Sequence, residues 1–532
     1  LKPGIVLRLF LLFQIAGLIL FFNTSACFAG TDNIRSFVAR GEFGAIATGN
    51  PIATKAAANI LKQGGNAVDA AVAAAFVLGV VNFTNSGLGG DAFALVHLPE
   101  GQIIAFDASS TRPASFKNNN SYIGLPTQPE LQLKLLKLFG SLDRHKIFSQ
   151  AIDLCHKGFE VSAYLNKVIS KKLLDLTDQK ALDFLAPEGF ALPAGTILKQ
   201  PQLGKTLQKM AEDNGHSFYK GRQAQLMIEQ LNKLGSTYSL KDFASYRSKI
   251  KSPLAFAWQN FRLYGTPLPS SSLVAIKLAK HILNTGLEAF SSDAESMVAV
   301  AKAGREIIDF KYYCLSSYIN NPEAFLLADS QTMGEKVGRI KQLEDSTQTT
   351  HLCVWDKNGM AVSMTLTLGS HCGTGNYSPL GFFYNNEMRN FTSLVARYPE
   401  NYPPDSGPIS SKAPLMVKKD GELFFILGGA GSDRIIFNNG LIIAALLSQK
   451  TTAYKAINSP RYFLDYKDVL QLEWRKNSRL TNELKRFRPE SKIRQSGADY
   501  FGMVTFIGKS NEGFLAVSDF RRDASCTAIG QH

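Results

Sequence analysis

A threonine stands where a polar stretch of this chain meets an apolar one. Residues 342–348 (Gln-Leu-Glu-Asp-Ser-Thr-Gln) read as loop, and from Thr349 to Asp356 the chain is apolar and β-branched. Lys357-Asn358-Gly359 supplies turn residues and Ala361-Val362-Ser363-Met364-Thr365 alternates again, so the segment predicts a β-hairpin with Thr349 at its mouth. A cut before Thr349 would create a new N-terminus carrying nucleophile and base in one residue, because the hydroxyl attacks and the α-amine takes its proton. Taken alone, Thr349 would sooner pass as a strand residue, and Thr367 could be ordinary β-branched strand filling.

Other chemistries fit the residues less well. No Gly-x-Ser-x-Gly elbow occurs in the sequence. Gly502 and Gly508-Lys509-Ser510 resemble a P-loop, but five residues separate the glycines where four are required, and a strand pattern fills them. The run Ser86-Gly87-Leu88-Gly89-Gly90-Asp91 precedes a strand, whereas a dinucleotide fingerprint runs strand, glycines, helix; it predicts a loop of close backbone approach. His351 and Cys353 with His371 and Cys372 match no common zinc spacing, and packing is the expectation for them. No metal or cofactor is expected.

The elements that must position Thr349 follow from pattern. A short strand over 45–48 leads to a helix opened by Pro51 and stopped near Gly64-Gly65. Asn66-Ala67-Val68-Asp69 starts a second helix to about Val81, with small residues on all faces and therefore buried. Strands are predicted over 92–97 and 103–107, joined by a Pro-Glu-Gly turn. Residues 130–340 read as mostly helical, and 349–532 as strand-rich, with strands at 424–429, 469–474 and 503–507 and a helix over about 434–447. Together these suggest sheet layers enclosed by helices.

Length and composition bound the rest. The chain has 532 residues, 45% of them hydrophobic and 19% charged, which suits one large domain or two coupled ones. Residues 1–29 resemble a secretory signal peptide: Lys2 and Arg8, an apolar run over 9–22, then Ala26-Cys27-Phe28-Ala29, with cleavage expected after Ala29. The apolar run is short for a membrane span, and none is expected after leader removal. The leader holds two of the 58 basic residues and none of the 44 acidic ones, which leaves a formal charge of +12. Those charges are scattered, so a generally basic surface is expected and no nucleic-acid partner. Five cysteines after the leader (Cys155, Cys314, Cys353, Cys372, Cys526) allow a bridge but no disulfide framework.

Around Thr349 the sequence resembles the gamma-glutamyltransferase (gamma-glutamyl transpeptidase) family. The resemblance runs along almost the whole chain after the leader. It is carried by Thr349-Thr350-His351 with its hairpin and Thr365-Leu366-Thr367, by Gly65-Asn66-Ala67-Val68-Asp69, Ser86-Gly87-Leu88-Gly89-Gly90, Pro267-Leu268-Pro269-Ser270-Ser271-Ser272, Gly381-Phe382-Phe383-Tyr384-Asn385-Asn386-Glu387-Met388, Pro408-Ile409-Ser410-Ser411-Lys412-Ala413-Pro414 and Gly428-Gly429-Ala430-Gly431-Ser432-Asp433-Arg434, in the family's order. It implies an α+β, four-layer αββα sandwich of the N-terminal-nucleophile hydrolase fold. The precursor would cut itself between Gln348 and Thr349, giving an associated large chain (30–348) and small chain (349–532). Thr349 would take an acyl group from a glutathione-like donor and pass it to water, an amino acid or a peptide. Thr367 would orient the Thr349 hydroxyl, the N–H groups of Gly431 and Ser432 would form the oxyanion hole, and Ser410-Ser411 would hold the donor's α-carboxylate. An exported enzyme, periplasmic or secreted, is expected.

The sequence departs from the family where the glutamyl head group is read. Ser109 stands at the position of the family's arginine, Asn390 at that of its aspartate (beside Arg389) and Gly369 at that of its asparagine, while Glu387 is retained. A serine cannot replace the bidentate grip of arginine on a carboxylate. Three readings follow: a gamma-glutamyl enzyme with a rebuilt head-group site using Arg112 or Arg389, an acylase for a donor lacking the α-ammonium (glutaryl, for example), and a non-catalytic binding descendant.

Overall fold

The computed structural model describes residues 37–111, 122–318, 348–390, 407–473 and 478–530. The residues read from sequence as a leader (1–29) and as a loop (342–347), and Arg112, lie outside them. Two seven-stranded antiparallel sheets form the centre. One runs, in spatial order, Ser525–Ala528, Gly44–Thr48, Thr350–Asp356, Ala361–Thr367, Asp91–His97, Ile103–Ala108 and Lys249–Lys251. The other runs Val38–Gly41, Gly513–Ser518, Met503–Ser510, Glu422–Ala430, Leu415–Lys419, Phe261–Gly265 and Leu254–Trp258.

Three apolar layers account for the stacking. Between the sheets lie Ala45, Ala47, Leu95, Cys353, Trp355, Met416, Ile426, Ile507 and Phe514. Outside the first sheet, Leu352, Val354, Val362, Met364 and Leu366 meet helices Pro51–Lys62 and Ala67–Val81. Outside the second, Leu415, Val417, Phe425 and Leu427 meet helices Ser272–Thr285 and Asp433–Leu447. Odd and even positions of one strand thus face different cores, so central strands are apolar on both faces. This is the αββα sandwich that the resemblance implied.

The local chemistry of the helices is plain. Asn50 caps Pro51–Lys62 by accepting from the Ile52 N–H, with proline in the first turn. Asn66 and Asp69 form a capping box on Ala67–Val81. All fifteen residues of that helix are buried, and its alanines let it lie close against the Thr349 hairpin. Asp356 locks the hairpin to the helix: one carboxylate oxygen accepts from the Ala67 N–H at 2.8 Å, the other from Asn358 and Met360 N–H at 2.9 and 3.1 Å.

Three strands of the two central sheets, Lys249–Lys251, Leu254–Trp258 and Phe261–Gly265, lie inside the region read as mostly helical, a reading that the described helices otherwise bear out. They are short, two of them are sheet edges, and long helices flank them, so a regional reading passed over their period-2 pattern. Cys155, Cys353, Cys372 and Cys526 are all buried free thiols. Both sheets interleave strands from before and after Thr349, so a cut there would leave two chains sharing every core.

Candidate active site

The hairpin strands Thr350–Asp356 and Ala361–Thr367 pair with Thr350 opposite Leu366, which brings Thr349 and Thr367 together at one end of the first sheet. The Thr349 hydroxyl lies 3.3 Å from the Thr367 hydroxyl and donates to the carbonyl oxygen of Gln348, the bond expected to be cut. The Thr367 hydroxyl is 3.2 Å from the same carbonyl and accepts from the Gly369 N–H at 2.9 Å. Thr349 and Thr367 are 5% and 2% exposed, so little water competes for these bonds. Two hydroxyls therefore converge on one peptide carbonyl, and a backbone N–H fixes one of them.

The glycine-rich loop beside them works by close approach. A Cβ at Gly90 would fall 2.3 Å from the Thr367 carbonyl oxygen, and one at Gly89 2.0 Å from that of Phe383. Only glycine lets this loop sit against the end of the Thr349 hairpin.

Gly431 and Ser432 follow the strand Glu422–Ala430, whose Gly428 lies against His351, so their turn is at the Thr349 end of the sandwich. Their φ angles are +134° and +58°, and the turn opens helix Asp433–Leu447. A serine held at positive φ is strained, and such strain concentrates where a backbone must aim its N–H groups.

The expected head-group residues are all buried or half-buried, yet their partners belong to this chain. Glu387 lies beside Gly369, where a Cβ would come 3.3 Å from Glu387 Oε1 and 2.1 Å from Asn386 Oδ1. The Asn386 amide thus fills the space above Gly369, accepting from the Ser370 N–H at 3.0 Å and donating to the Ser370 hydroxyl at 2.8 Å. Asn390 Nδ2 lies 3.4 Å from Glu387 Oε2. Ser109 donates to Asp107 at 2.6 Å, and Asp107 also takes Lys251 Nζ at 2.7 Å. The Ser410 hydroxyl accepts from the Lys412 N–H at 3.2 Å. Ser411 donates to Asp433 at 2.7 Å and receives the buried Lys311 at 3.1 Å.

Sequence reading missed Lys412 and Asp91. Lys412 Nζ donates to Asp91 Oδ1 at 2.6 Å and lies 3.5 Å from Glu387 Oε1. Burial, then Glu387, raise the Asp91 carboxyl to about 7 against the opposing pull of Lys412. Burial alone would lower Lys412; Asp91 and Glu387 outweigh it and hold the ammonium above its usual range. The available signal was a lysine within a serine-and-apolar motif and an aspartate opening a buried strand. The loop at 267–272 fixes this lysine's backbone, since the Ser271 N–H and the Ser270 hydroxyl both donate to the Lys412 carbonyl at 2.9 Å.

Behind Thr349, His351 lies between the sheets, bonded through Nδ1 to Thr365 at 2.8 Å and through Nε2 to Ser363 at 3.2 Å. Burial lowers its pKa to about 3, so it is neutral and structural. The unfolded chain takes up the proton below about 6.5. His351 therefore adds stability fully above that pH and loses it as pH falls toward 3. Asp91 titrates with the opposite sign, since its raised pKa gives stability at low pH that is lost as pH rises through about 7. Comparison with His351→Gln cancels the Asp91 contribution. The stability advantage of the unsubstituted protein over this variant should shrink by about 1.4 kcal/mol per pH unit below 6.5, read by denaturant unfolding at a series of pH values.

A cleft of about 800 Å³ opens beside Gln348, lined also by Ser370, Asn386, Arg389, Lys171 and Lys172.

The four-layer αββα sandwich is the fold of the N-terminal-nucleophile hydrolase class. Comparison with known proteins narrows this. The family model "Gamma-glutamyltranspeptidase" matches residues 53–529, and the chain belongs to that family. It is 30% identical to Glutathione hydrolase 2 of Arabidopsis thaliana over 453 residues, covering 76% of this chain and 77% of the relative. It is 28% identical to the Acylase ACY 1 proenzyme of Pseudomonas sp. (strain V22), covering 82% and 85%. The crystal structure of cephalosporin acylase from Bacillus halodurans superposes with a TM-score of 0.80 at 24% identity, over 96% of this chain and all of that one, and shares the fold.

Proposed function

We propose that this chain is a precursor that cuts itself before Thr349 and then acts as a threonine amidohydrolase and acyltransferase. One observation carries the reading: the Thr349 and Thr367 hydroxyls both lie on the Gln348 carbonyl in a buried site. Thr349 Oγ1 attacks that carbonyl carbon, the acyl group moves from nitrogen to oxygen, and water hydrolyses the ester to leave a free Thr349 amine. With a reference pKa of about 7.7–8.0, a useful fraction of that amine is neutral near pH 7 and accepts the hydroxyl proton. In turnover the hydroxyl attacks a donor amide, Gly431 and Ser432 N–H groups receive the oxyanion, the amine leaves, and water or an acceptor amine releases the acyl group.

Two donor classes are carried forward. A gamma-glutamyl amide of the glutathione type agrees with the name of the Arabidopsis relative. A donor lacking the α-ammonium is favoured by the contact of Lys412 with Glu387. The signal-like pattern at residues 1–29 supports an exported enzyme. Intact mass spectrometry should show two chains meeting at Gln348/Thr349, and the same sample should release p-nitroaniline from an acyl anilide. A single uncut chain that releases none would remove the enzymatic reading and leave a binding descendant.

A further inference from the structure

We propose that Lys311 is a positioning residue for acyl transfer: it neutralises the Asp433 carboxylate beside the 431–432 turn, so that the turn offers its N–H groups to an oxyanion with no uncompensated negative charge next to it. The proposal rests on the acyl-transfer reading above, with Gly431 and Ser432 as oxyanion donors, and adds a residue to it.

An acid directly after an oxyanion turn works against the chemistry. Asp433 follows Ser432 and is the first residue of the helix Asp433–Leu447. A helix N-terminus favours an acid there. An oxyanion on the same turn is repelled by it, and Asp433 is buried, where like charges repel more strongly than in water. The carboxylate is also what ties the turn to the rest of the site. Asp433 Oδ1 accepts from the Ser411 hydroxyl at 2.7 Å, while the Ser432 side chain caps no N–H of the helix it precedes.

Lys311 supplies the compensating charge. It belongs to the helix Ala294–Tyr318 and is fully buried. Its Nζ lies 3.3 Å from Asp433 Oδ1 and donates to Ser411 Oγ at 3.1 Å. Lys311, Ser411 and Asp433 thus close a ring of contacts between three segments far apart in the chain. Burial lowers the Lys311 pKa and Asp433 opposes that, so the ammonium in turn depends on this acid. Arg305, on the same helix, lies 4.0 Å from Asp433 Oδ2 and is bonded to Asp309. These four side chains hold two cations and two acids. Without Lys311, one cation faces two acids, and Arg305 keeps Asp433 ionised beside the turn. The lysine therefore acts on the oxyanion through Asp433 and touches no substrate.

Lys311→Met should lower kcat for an acyl p-nitroanilide by roughly 10- to 100-fold with KM little changed, a smaller loss than removal of an oxyanion donor itself. Adding Asp433→Asn removes the uncompensated charge, keeps an oxygen for the Ser411 hydroxyl, and should recover most of that loss. Intact mass reads whether each variant is cut, and thermal unfolding whether it is folded. A packing role predicts the opposite order, because the double variant disturbs more contacts than the single one. A double variant as slow as Lys311→Met, or a Lys311→Met enzyme with unchanged kcat, would overturn the proposal. If Lys311→Met does not fold, the double variant decides: turnover within about tenfold of the unsubstituted enzyme supports the charge balance, and a larger loss overturns it. An unsubstituted protein that turns over no anilide removes the acyl-transfer reading and this proposal together, whereas an active one with an unaffected Lys311→Met variant removes this proposal alone.

Discussion

Thr349→Ala should yield a single uncut chain with no measurable acyl transfer, a loss of at least roughly 10⁵-fold, comparable to removing the nucleophile from other acyl-transfer enzymes. In the proposed mechanism two separate steps need the same oxygen. The bond before residue 349 is cut only if Oγ1 can attack the Gln348 carbonyl, on which it already lies. The later acyl-enzyme is an ester to that oxygen. The variant should fold, because the hairpin is held by its register from Thr350 to Trp355, by Asp356 at its far end and by cores on both faces, none of which involves the Thr349 side chain. Thr349→Ser keeps the hydroxyl and should still be cut. Intact mass and anilide turnover separate these outcomes: a cut or active alanine variant would show that another group performs the attack, and an uncut serine variant would show that the methyl group is needed to aim the oxygen.

Much of this was legible because it is local. Asn50, Asn66 and Asp69 announce their helices by position, and Lys357-Asn358-Gly359 announces the turn of the nucleophile hairpin. The glycine run ahead of a strand read as a close-approach loop, and Gly89 and Gly90 do lie against backbone oxygens. Part of what the sequence hid depends on groups far apart in the chain. Lys412 and Asp91 are 321 positions apart, and neither has a local pattern that predicts the other. Gly369 read as the loss of a polar side chain; in the fold that volume is taken by the amide of Asn386, seventeen residues on. Ser109 read as a missing arginine, and its hydroxyl turns back to Asp107. The strands between Lys249 and Gly265 were hidden for a different reason: strands this short carry too few residues for their period to stand out among helices.

The second large effect is expected at a residue that touches no substrate. Gly502 has φ +77°, and a Cβ there would fall 1.9 Å from the Ala430 carbonyl oxygen and 3.1 Å from the Gly431 Cα. Both contacts are backbone, so no side chain can swing aside. In Gly502→Ala either the turn at 430–432 moves or the start of the Met503–Ser510 strand does, and the register of Met503 with Ala430 resists the second. A positive φ adds its own cost for alanine. Together these should lower stability by roughly 2–4 kcal/mol. If the Gly431 and Ser432 N–H groups receive the oxyanion, kcat should fall by about 10²–10³ with KM little changed, because the lost interaction is strongest in the transition state. Gly421→Ala is the matched control. It has φ +90° with nothing within 4 Å of its Cβ, so it imposes backbone strain at a distant hairpin and should leave turnover unchanged. A folded Gly502→Ala enzyme with normal kcat would remove the 431–432 turn from the mechanism. A fall in kcat matched by Gly421→Ala would assign the effect to general destabilisation.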